Sequence, residues 1–256
     1  MDELPIELID FAEFMADEAR KISKLYFRSQ LGVEIKQDGS PVTEADRKIE
    51  DTIRKLVAMN FPQHAVFGEE FGNNNNNAEY VWVVDPIDGT KSFISGRPLF
   101  GTLIALVKNG HPVIGLIDQP ISGERWIGAN GETKFNAKQV HTRSGVDISK
   151  AIFVTTSPDM FDDAGKFKIS KISAEAGIAL YGGDCYSYGQ LAMGLVDVVI
   201  ESGLKAYDFM PLVPVIENAG GRITDWKGNS LNMNSSGDVI ACGDSTLHSQ
   251  ILSKFF

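Results

Sequence analysis

The sequence has little cysteine and no long apolar run, and each of these absences excludes a class of protein. Its two cysteines, Cys185 and Cys242, are too few for a disulfide framework, which is typical of a protein in a reducing compartment. No apolar run approaches the length of a membrane span. Asp2 and Glu3 stand where a secretory signal needs basic residues. We therefore expect a cytoplasmic protein that does not enter a membrane.

Positive charge is also scarce. The chain has 24 Lys and Arg residues against 34 Asp and Glu residues, which gives a formal net charge of −10. This balance argues against a nucleic-acid-binding protein, because such proteins carry a basic surface that matches the phosphate backbone. An anionic ligand would have to be bound together with cations, which can invert the local electrostatic field.

The length and the patterning indicate one layered domain. A chain of 256 residues suits one large domain or two small lobes, and we find neither an internal repeat nor a linker. We predict a single domain over 1–256, with an N-terminal α+β lobe over about 1–140 and a C-terminal α/β lobe over about 141–256. The mixture of strand and helix patterns favours an α/β or α+β architecture.

Apolar spacing predicts where the first helices and the strands lie. It indicates a helix over 4–30 and a second helix that begins after Thr43, with Asp46 completing a capping box. The run 80–84 is apolar without alternation, which predicts a strand buried on both faces. The asparagine run 73–77 predicts a solvated loop tip. Other predicted strands are 65–67, 100–108, 112–118, 124–128, 151–155, 177–181, 196–200, 221–224 and 238–242. Further helices are predicted over about 188–195 and 209–219, and from 244 onwards.

One motif carries the clearest chemical signal. The predicted strand 80–84 ends at Asp85, and a tight turn then brings a second carboxylate, Asp88, followed by Gly89 and Thr90. Two carboxylates converging at a strand end repel each other unless a cation lies between them. Each of these residue types is common in turns. At average residue usage, however, the five fixed positions of the string recur by chance in roughly one chain in ten thousand of this length.

Two other acidic elements accompany this motif. Glu69 and Glu70 end another short apolar run, and Asp208 precedes a predicted amphipathic helix. Taken alone, the glutamate pair fits a solvated turn and Asp208 fits an N-cap. Oxygen ligands of this kind suit magnesium, which also shares the oxygens of a bound phosphate.

Taken together, these segments resemble the inositol monophosphatase family of metal-dependent phosphatases. The resemblance extends over nearly the whole chain. Blocks in the family's order carry it, namely 41–46, 68–70, 85–90 and 207–208, with the glycine pair 220–221 after them. None of the four histidines lies in these blocks, so a catalytic triad built on histidine has little support.

The resemblance implies a role for individual residues. The implied metal ligands are Glu69, Asp85, the carbonyl of Ile87, Asp88 and Asp208. The implied catalytic residues are Glu69, with Thr90 and Asp46 positioning the attacking water. The implied phosphate-binding residues are Asp88, Gly89 and Thr90. The implied substrate-binding residues are Asp184, Glu201 and Asp208.

The same resemblance implies the fold and the cofactor. The family's fold is a five-layer αβαβα sandwich, and its members are commonly homodimers. The expected cofactor is roughly two or three Mg²⁺ ions, with Mn²⁺ as a possible substitute and lithium as a possible inhibitor. The expected partner is a small phosphate monoester, with no nucleic acid and no membrane.

We expect the substrate to be histidinol phosphate, with inositol 1-phosphate or another sugar or polyol phosphate as the alternative. The segments 89–106, 117–128 and 182–189 resemble the histidinol-phosphate phosphatase branch, in which Ser92-Phe93 replaces an Asn-Phe pair. Acidic groups at Asp184 and Glu201 would pair with a cationic substrate, although carboxylates also bind the hydroxyls of inositol. A nucleotide 3′-phosphate would need a basic pocket, which the sequence does not reveal. A non-catalytic binding role in transcription complexes has less support, because every expected acidic position is present.

Overall fold

The computed structural model describes residues 3–29, 32–36, 41–73 and 78–256. The predicted loop tip over 73–77 therefore lies outside the described residues, apart from the backbone of Asn73. The helices of the described residues are α1 Ile6–Tyr26, α2 Glu44–Asn60, α3 Thr90–Ile94, α4 Asp163–Glu175, α5 Cys185–Ala192, α6 Ala206–Phe209, α7 Leu212–Glu217 and α8 Ser245–Phe255.

The strands form a hairpin and two larger sheets. The hairpin pairs β1 Val33–Ile35 with β2 Pro41–Thr43. The first large sheet contains β3 Ala65–Gly68, β4 Gly72–Asn73, β5 Tyr80–Asp88, β6 Gly101–Lys108, β7 His111–Gln119, β8 Glu124–Ala129, β9 Glu132–Phe135 and β10 Lys138–Gln139, in the order β10-β9-β8-β7-β6-β5-β3-β4. The second contains β11 Ile152–Thr155, β12 Ile178–Tyr181, β13 Val198–Glu201, β14 Arg222–Thr224 and β15 Val239–Cys242, in the order β12-β11-β13-β15-β14.

The predicted five-layer αβαβα sandwich is confirmed by the packing. Helices α1 and α2 cover one face of the eight-stranded sheet. Helices α5, α6 and α7 lie between its other face and the five-stranded sheet, where they share the largest apolar core. Helices α4 and α8 cover the outer face of the five-stranded sheet. The central strands of each sheet are therefore buried on both faces, as their unalternated apolar sequences require.

Most of the helices and strands lie where local sequence patterns predict them, and a few differ. The Thr43–Asp46 capping box forms as predicted and begins α2. Trp82, Val83 and Val84 of β5 are each 0% exposed, as expected for a strand buried on both faces. The helix predicted over about 209–219 is instead two short helices, α6 and α7, with Pro211 between them.

The sequence prediction did not include α4. Only Gly165, Ile169 and Ile172 are buried along this helix, while Phe167 is 61% exposed. With so few buried apolar residues, the sequence of this helix shows little of the apolar periodicity that predicts a helix. No helix among the described residues is long and apolar enough to cross a membrane.

Candidate active site

Parallel strand pairing brings two of the predicted ligands to one edge of the first sheet. Strands β3 and β5 pair in parallel with Gly68 opposite Val84, so Glu69 and Asp85 each follow that pair. The backbone N–H of Glu69 donates to the carbonyl of Val84 at 3.2 Å. The side chains of Glu69 and Asp85 therefore start from neighbouring positions at the same end of the two strands.

A bulge in β5 brings the third carboxylate to this edge. The register between β5 and β6 shifts between Asp85 and Asp88. Within the bulge, Oδ1 of Asp85 accepts the backbone N–H of Ile87 at 3.0 Å. A bulge re-aims the side chains around it, and here the turn brings Asp88 back towards Asp85.

Asp85, Asp88 and Asp208 form a compact oxygen cluster. Each offers a carboxylate oxygen, and these atoms lie within 4.8 Å of one another. Asp208 reaches the cluster from α6, where its Oδ2 also accepts the backbone N–H of Lys205 at 2.7 Å. The cluster thus combines the end of the eight-stranded sheet with a helix of the middle layer.

The electrostatics of the cluster favour a bound cation. Burial, together with the charges of neighbouring carboxylates, raises the pKa of Asp85 and of Asp88 well above the ordinary range. Burial is also the main cause that raises the pKa of Asp208 to about 7. Desolvated carboxylates that repel one another become good ligands when a hard divalent cation neutralises them. The donor set therefore fits the magnesium site that the sequence predicts.

Glu69 lies close to this cluster but is paired with a lysine. Its negative charge contributes to the raised pKa values of Asp85 and Asp208. Nζ of Lys36 donates to Oε1 of Glu69 at 2.8 Å and to Oε1 of Glu70 at 2.5 Å. Burial lowers the pKa of Lys36, but its hydrogen bonds to the two glutamates outweigh this effect and raise it. In this structure the Glu69 carboxylate is thus bound by the ammonium of Lys36.

The predicted water-positioning residues have other partners here. Oδ2 of Asp46 accepts the backbone N–H of Thr43 at 2.9 Å and its hydroxyl at 2.5 Å. The hydroxyl of Thr90 donates to the carbonyl of Ile87 at 3.0 Å. No hydrogen bond between Asp46 and Thr90 occurs among the described residues. Burial raises the pKa of Asp46 to about 6, and the charge of Glu69 adds to this effect.

The glycine of the motif is required by its conformation and by its surroundings. Gly89 has φ of 81° and forms the N-cap of α3. A Cβ at this position would lie 2.9 Å from Oδ2 of Asp184. The turn that follows Asp88 therefore meets the first residues of the α5 segment directly.

Asp184 lies in a cleft beside this turn. The cleft has a volume of about 330 Å³. Oδ2 of Asp184 accepts the hydroxyl of Ser92 at 3.1 Å, and burial raises the pKa of Asp184. The residues that line the cleft are Glu69, Gly89, Thr90, Lys91, Thr156, Ser157, Asp159, Met160 and Asp184.

Glu201 does not line the cleft. It is 3% exposed, and its Oε2 accepts the hydroxyl of Tyr188 at 3.0 Å. No hydrogen bond of ordinary geometry reaches its Oε1, although the hydroxyl and backbone N–H of Thr156 act on this carboxylate and lower its pKa. Burial raises the pKa of Glu201 to about 7, and the charge of Asp184 contributes to this rise. The two predicted substrate carboxylates therefore interact electrostatically, one in the cleft wall and the other beneath the surface.

Several residues of the site were missed by sequence reasoning. Lys91 directly follows the motif and could have been included with it. The segment 156–160 follows strand β11, and strand ends are where ligands bind in layered sheets, so this signal was present. Lys36 has no such signal, because nothing local in the sequence links it to Glu69.

Comparison with known proteins agrees with this geometry. A model of the inositol monophosphatase family matches residues 5–255. The chloroplastic bifunctional phosphatase IMPL2 of Arabidopsis thaliana is 49% identical over 93% of this chain and 72% of its own. A histidinol-phosphatase of Chlorobaculum parvum is 34% identical, with 89% of each chain covered. The structure of an inositol monophosphatase from Zymomonas mobilis matches with a TM-score of 0.89 and 46% identity, with 96% of each chain covered. This chain belongs to the inositol monophosphatase family and is a metal-dependent phosphomonoesterase.

Proposed function

We propose that this enzyme uses magnesium to hydrolyse histidinol phosphate to histidinol and phosphate. The observation that carries the proposal is the position of Asp184, a largely buried carboxylate in the cleft wall beside the turn at Gly89, which we expect to receive the phosphate. Histidinol phosphate carries an ammonium and an imidazole next to its phosphate. An acidic wall beside a phosphate site is complementary to such a substrate.

The metal ligands in this proposal are Glu69, Asp85, Asp88, Asp208 and the carbonyl of Ile87. Three of them already bring oxygens within 4.8 Å of one another. A hard divalent cation supplies positive charge that offsets the phosphate and makes water a better nucleophile near neutral pH. The positive charge of the cation reduces the repulsion between a chain of net charge −10 and an anionic ester.

The chain's own groups orient the reactants. The turn formed by Asp88, Gly89 and Thr90 receives the phosphate, whose charge is complemented by backbone amides at the start of α3. Glu69 lies in the cleft wall, where its carboxylate can accept a proton from the attacking water. Thr90 and Asp46 position that water. The hydroxyl of Thr90 is already oriented by its hydrogen bond to Ile87.

The remaining acidic groups would recognise the organic part of the substrate. Asp184 offers a carboxylate in the cleft, with Glu201 and Asp208 behind it. Glu201 has one oxygen that no hydrogen bond of ordinary geometry reaches among the described residues, and this oxygen can accept a hydrogen bond from a substrate that reaches it. Its burial means that such a bond would form in surroundings of low dielectric constant, where a charged donor gains most.

The same buried oxygen also favours a second candidate, inositol 1-phosphate. A buried carboxylate accepts hydrogen bonds from hydroxyl groups as readily as from an ammonium. The names of the relatives described above divide between histidinol-phosphatase and inositol monophosphatase. Histidinol phosphate is preferred here because its ammonium can form an ion pair with Asp184, whereas the hydroxyl groups of inositol 1-phosphate cannot.

The deciding experiment measures kcat/KM for both esters in wild type, Asp184→Asn and Glu201→Gln. Loss of a hydrogen bond to a charged group costs about 1.5–3 kcal/mol, so histidinol phosphate should lose about tenfold to hundredfold. Inositol 1-phosphate should lose less, because it has no ammonium. Asp159→Asn is the matched control, since Asp159 is an exposed carboxylate of the same cleft. A wild-type preference for inositol 1-phosphate would exclude histidinol phosphate as the main substrate.

We also propose a cytoplasmic homodimer that binds roughly two or three Mg²⁺ ions, with its two lobes acting as one domain. Both cysteines are free and buried, which supports a reducing compartment. The dimer is an expectation from the family resemblance, and light scattering of the purified protein tests it. Replacement of Mg²⁺ by Mn²⁺ and inhibition by lithium are measured in the same phosphate-release assay.

A further inference from the structure

Glu50 is a fully buried acidic residue to which neither the motif nor the proposed mechanism gives a role. It lies on α2 and is 0% exposed. Its Oε2 accepts the backbone N–H of Glu70 at 2.7 Å, and its Oε1 accepts the backbone N–H of Phe71 at 3.2 Å. The carboxylate therefore binds the two residues that directly follow Glu69.

Arg54, one turn further along α2, neutralises Glu50 and binds the same segment. Its Nε and Nη2 donate to Oε1 of Glu50 at 2.8 and 2.7 Å. Its Nη1 donates to the carbonyl of Val66 at 3.3 Å, and Nη2 also donates to the carbonyl of Gly72. Arg54 thus holds the chain on both sides of Glu69, before it and after it.

Gly68 makes this arrangement possible. Its φ is not positive, so the backbone conformation does not demand glycine. A Cβ at position 68 would instead overlap the carboxylate of Glu50. The absence of a side chain at Gly68 lets the buried carboxylate approach the strand end immediately before Glu69.

We propose that Glu50, supported by Arg54, is a positioning residue that holds Glu69 at the cation site. The N–H of Glu69 is bound by Val84, and the next two N–H groups are bound by Glu50. The backbone of Glu69 is therefore held on both sides, at a position that lines the cleft beside the carboxylate cluster. This inference rests on the proposed role of Glu69 as a metal ligand.

A purely structural role for the buried pair makes a different prediction. An ion pair that only fastens α2 to β3 would affect the melting temperature but not the affinity for metal. Partners that orient a metal ligand typically change metal affinity by about 10–100-fold when they are replaced. Metal affinity measured without substrate therefore separates the two roles.

The experiment titrates metal-free protein with Mn²⁺ by calorimetry, in wild type, Glu50→Gln and Glu69→Gln. Glu50→Gln keeps the size of the side chain but turns a donor towards a backbone N–H or towards Arg54. We expect it to weaken Mn²⁺ binding by about tenfold or more. Turnover should recover at saturating Mn²⁺, which Glu69→Gln should not allow, because Glu69 is itself catalytic in the proposed mechanism.

Asp197→Asn is the matched control. Asp197 is also 0% exposed, and it also accepts an arginine fork, from Arg143, and a backbone N–H, from Ile152. Asp197 directly precedes β13 of the five-stranded sheet, whereas Glu69 follows β3 of the eight-stranded sheet. Its variant should lower the melting temperature and leave Mn²⁺ affinity unchanged.

The outcomes separate this inference from the proposed function. If Glu69→Gln weakens Mn²⁺ binding but Glu50→Gln only lowers the melting temperature, as Asp197→Asn does, the positioning role is wrong. If Glu69→Gln leaves Mn²⁺ affinity unchanged, the proposed ligand set fails and the positioning role fails with it. If Glu50→Gln does not fold, Arg54→Lys replaces it, since it keeps the charge but loses the fork that holds Glu50 and Val66.

Discussion

Oδ2 of Asp88 accepts the backbone N–H of Cys185 at 2.6 Å. Asp88 ends β5 of the eight-stranded sheet, and Cys185 begins α5 of the middle layer. One hydrogen bond thus joins the metal-binding motif to the segment that carries Asp184. The site is assembled between the two halves of the chain, so the cation cluster and the substrate wall are fixed relative to each other.

The first prediction concerns charge repulsion in the metal-free protein. Asp88→Asn keeps an oxygen that can accept the N–H of Cys185 but removes one of three crowded carboxylates. Because the charged form of Asp88 is strongly disfavoured by burial, we expect the variant to melt at a higher temperature than wild type without metal. Each kcal/mol gained corresponds to about 2–4 °C for a chain of this size.

Thermal unfolding in a chelator, followed by unfolding with excess Mg²⁺, measures this effect. With Mg²⁺ the order should reverse, because only wild type gains stability from binding the ion. A variant that melts below wild type in the chelator would show that the carboxylates are not mutually repelling.

The second prediction concerns pH. The folded pKa of Asp208 is about 7, whereas an unfolded aspartate has a pKa of about 3.9. Its protonation therefore stabilises the metal-free protein fully below about pH 4, and this stability is lost as the pH rises through about 7. Unfolding free energies in a chelator should fall across this window. Asp208→Asn should flatten the change, and an equally steep change in this variant would contradict the assignment.

Metal binding should depend on pH in the opposite direction. Raised carboxyl pKa values mean that protons must leave before the cation binds, so affinity increases as the pH rises towards 7. Proton release on addition of Mg²⁺ to a weakly buffered sample reports the same event.

The third prediction concerns Thr90. Thr90→Ala removes the hydroxyl that donates to the carbonyl of Ile87, and we expect kcat to fall more than the affinity for Mg²⁺. Thr90→Ser keeps the hydroxyl and should retain most of the turnover. An unchanged kcat together with lost affinity would assign Thr90 to metal binding alone.

The fourth prediction concerns the turn at Gly89. Gly89→Ala places a Cβ against the carboxylate of Asp184 and also strains a left-handed conformation, at about 1–2 kcal/mol for the strain alone. Both stability and turnover should fall. In a double-mutant cycle with Asp184→Ala, the double variant should lose less stability than the sum of the losses in the two single variants, because the added Cβ no longer meets a carboxylate. Strict additivity would show that the side chain at position 89 does not contact Asp184.

The sequence predicted those parts of the site that depend on local patterns. The unalternated run of β5 located Asp85 and Asp88 at a strand end, and the capping box located Asp46. The pattern could not place Lys36 against Glu69, because that contact joins the hairpin segment to the sheet edge. The contact between Gly89 and Asp184 is likewise tertiary, and no spacing in the sequence indicates it.

The remaining differences come from competing local chemistry. Asp46, which the resemblance places beside the attacking water, accepts two hydrogen bonds from Thr43, because the N-terminus of α2 needs an acceptor. The long helix predicted over about 209–219 is divided near Pro211, since proline cannot donate an N–H within a helix. Both features follow from backbone N–H groups, which need an acceptor at the start of a helix and are missing at proline.

Phosphate release by this enzyme should depend on a cation that the carboxylate cluster holds. The most direct test removes all divalent metal from wild type by exhaustive chelation, measures phosphate release, and then restores Mg²⁺ stepwise while binding is followed by calorimetry. We expect no turnover without metal and recovery in parallel with the occupied fraction of the site. Full turnover in the chelated protein, or saturation by Mg²⁺ without recovery, would contradict the claim.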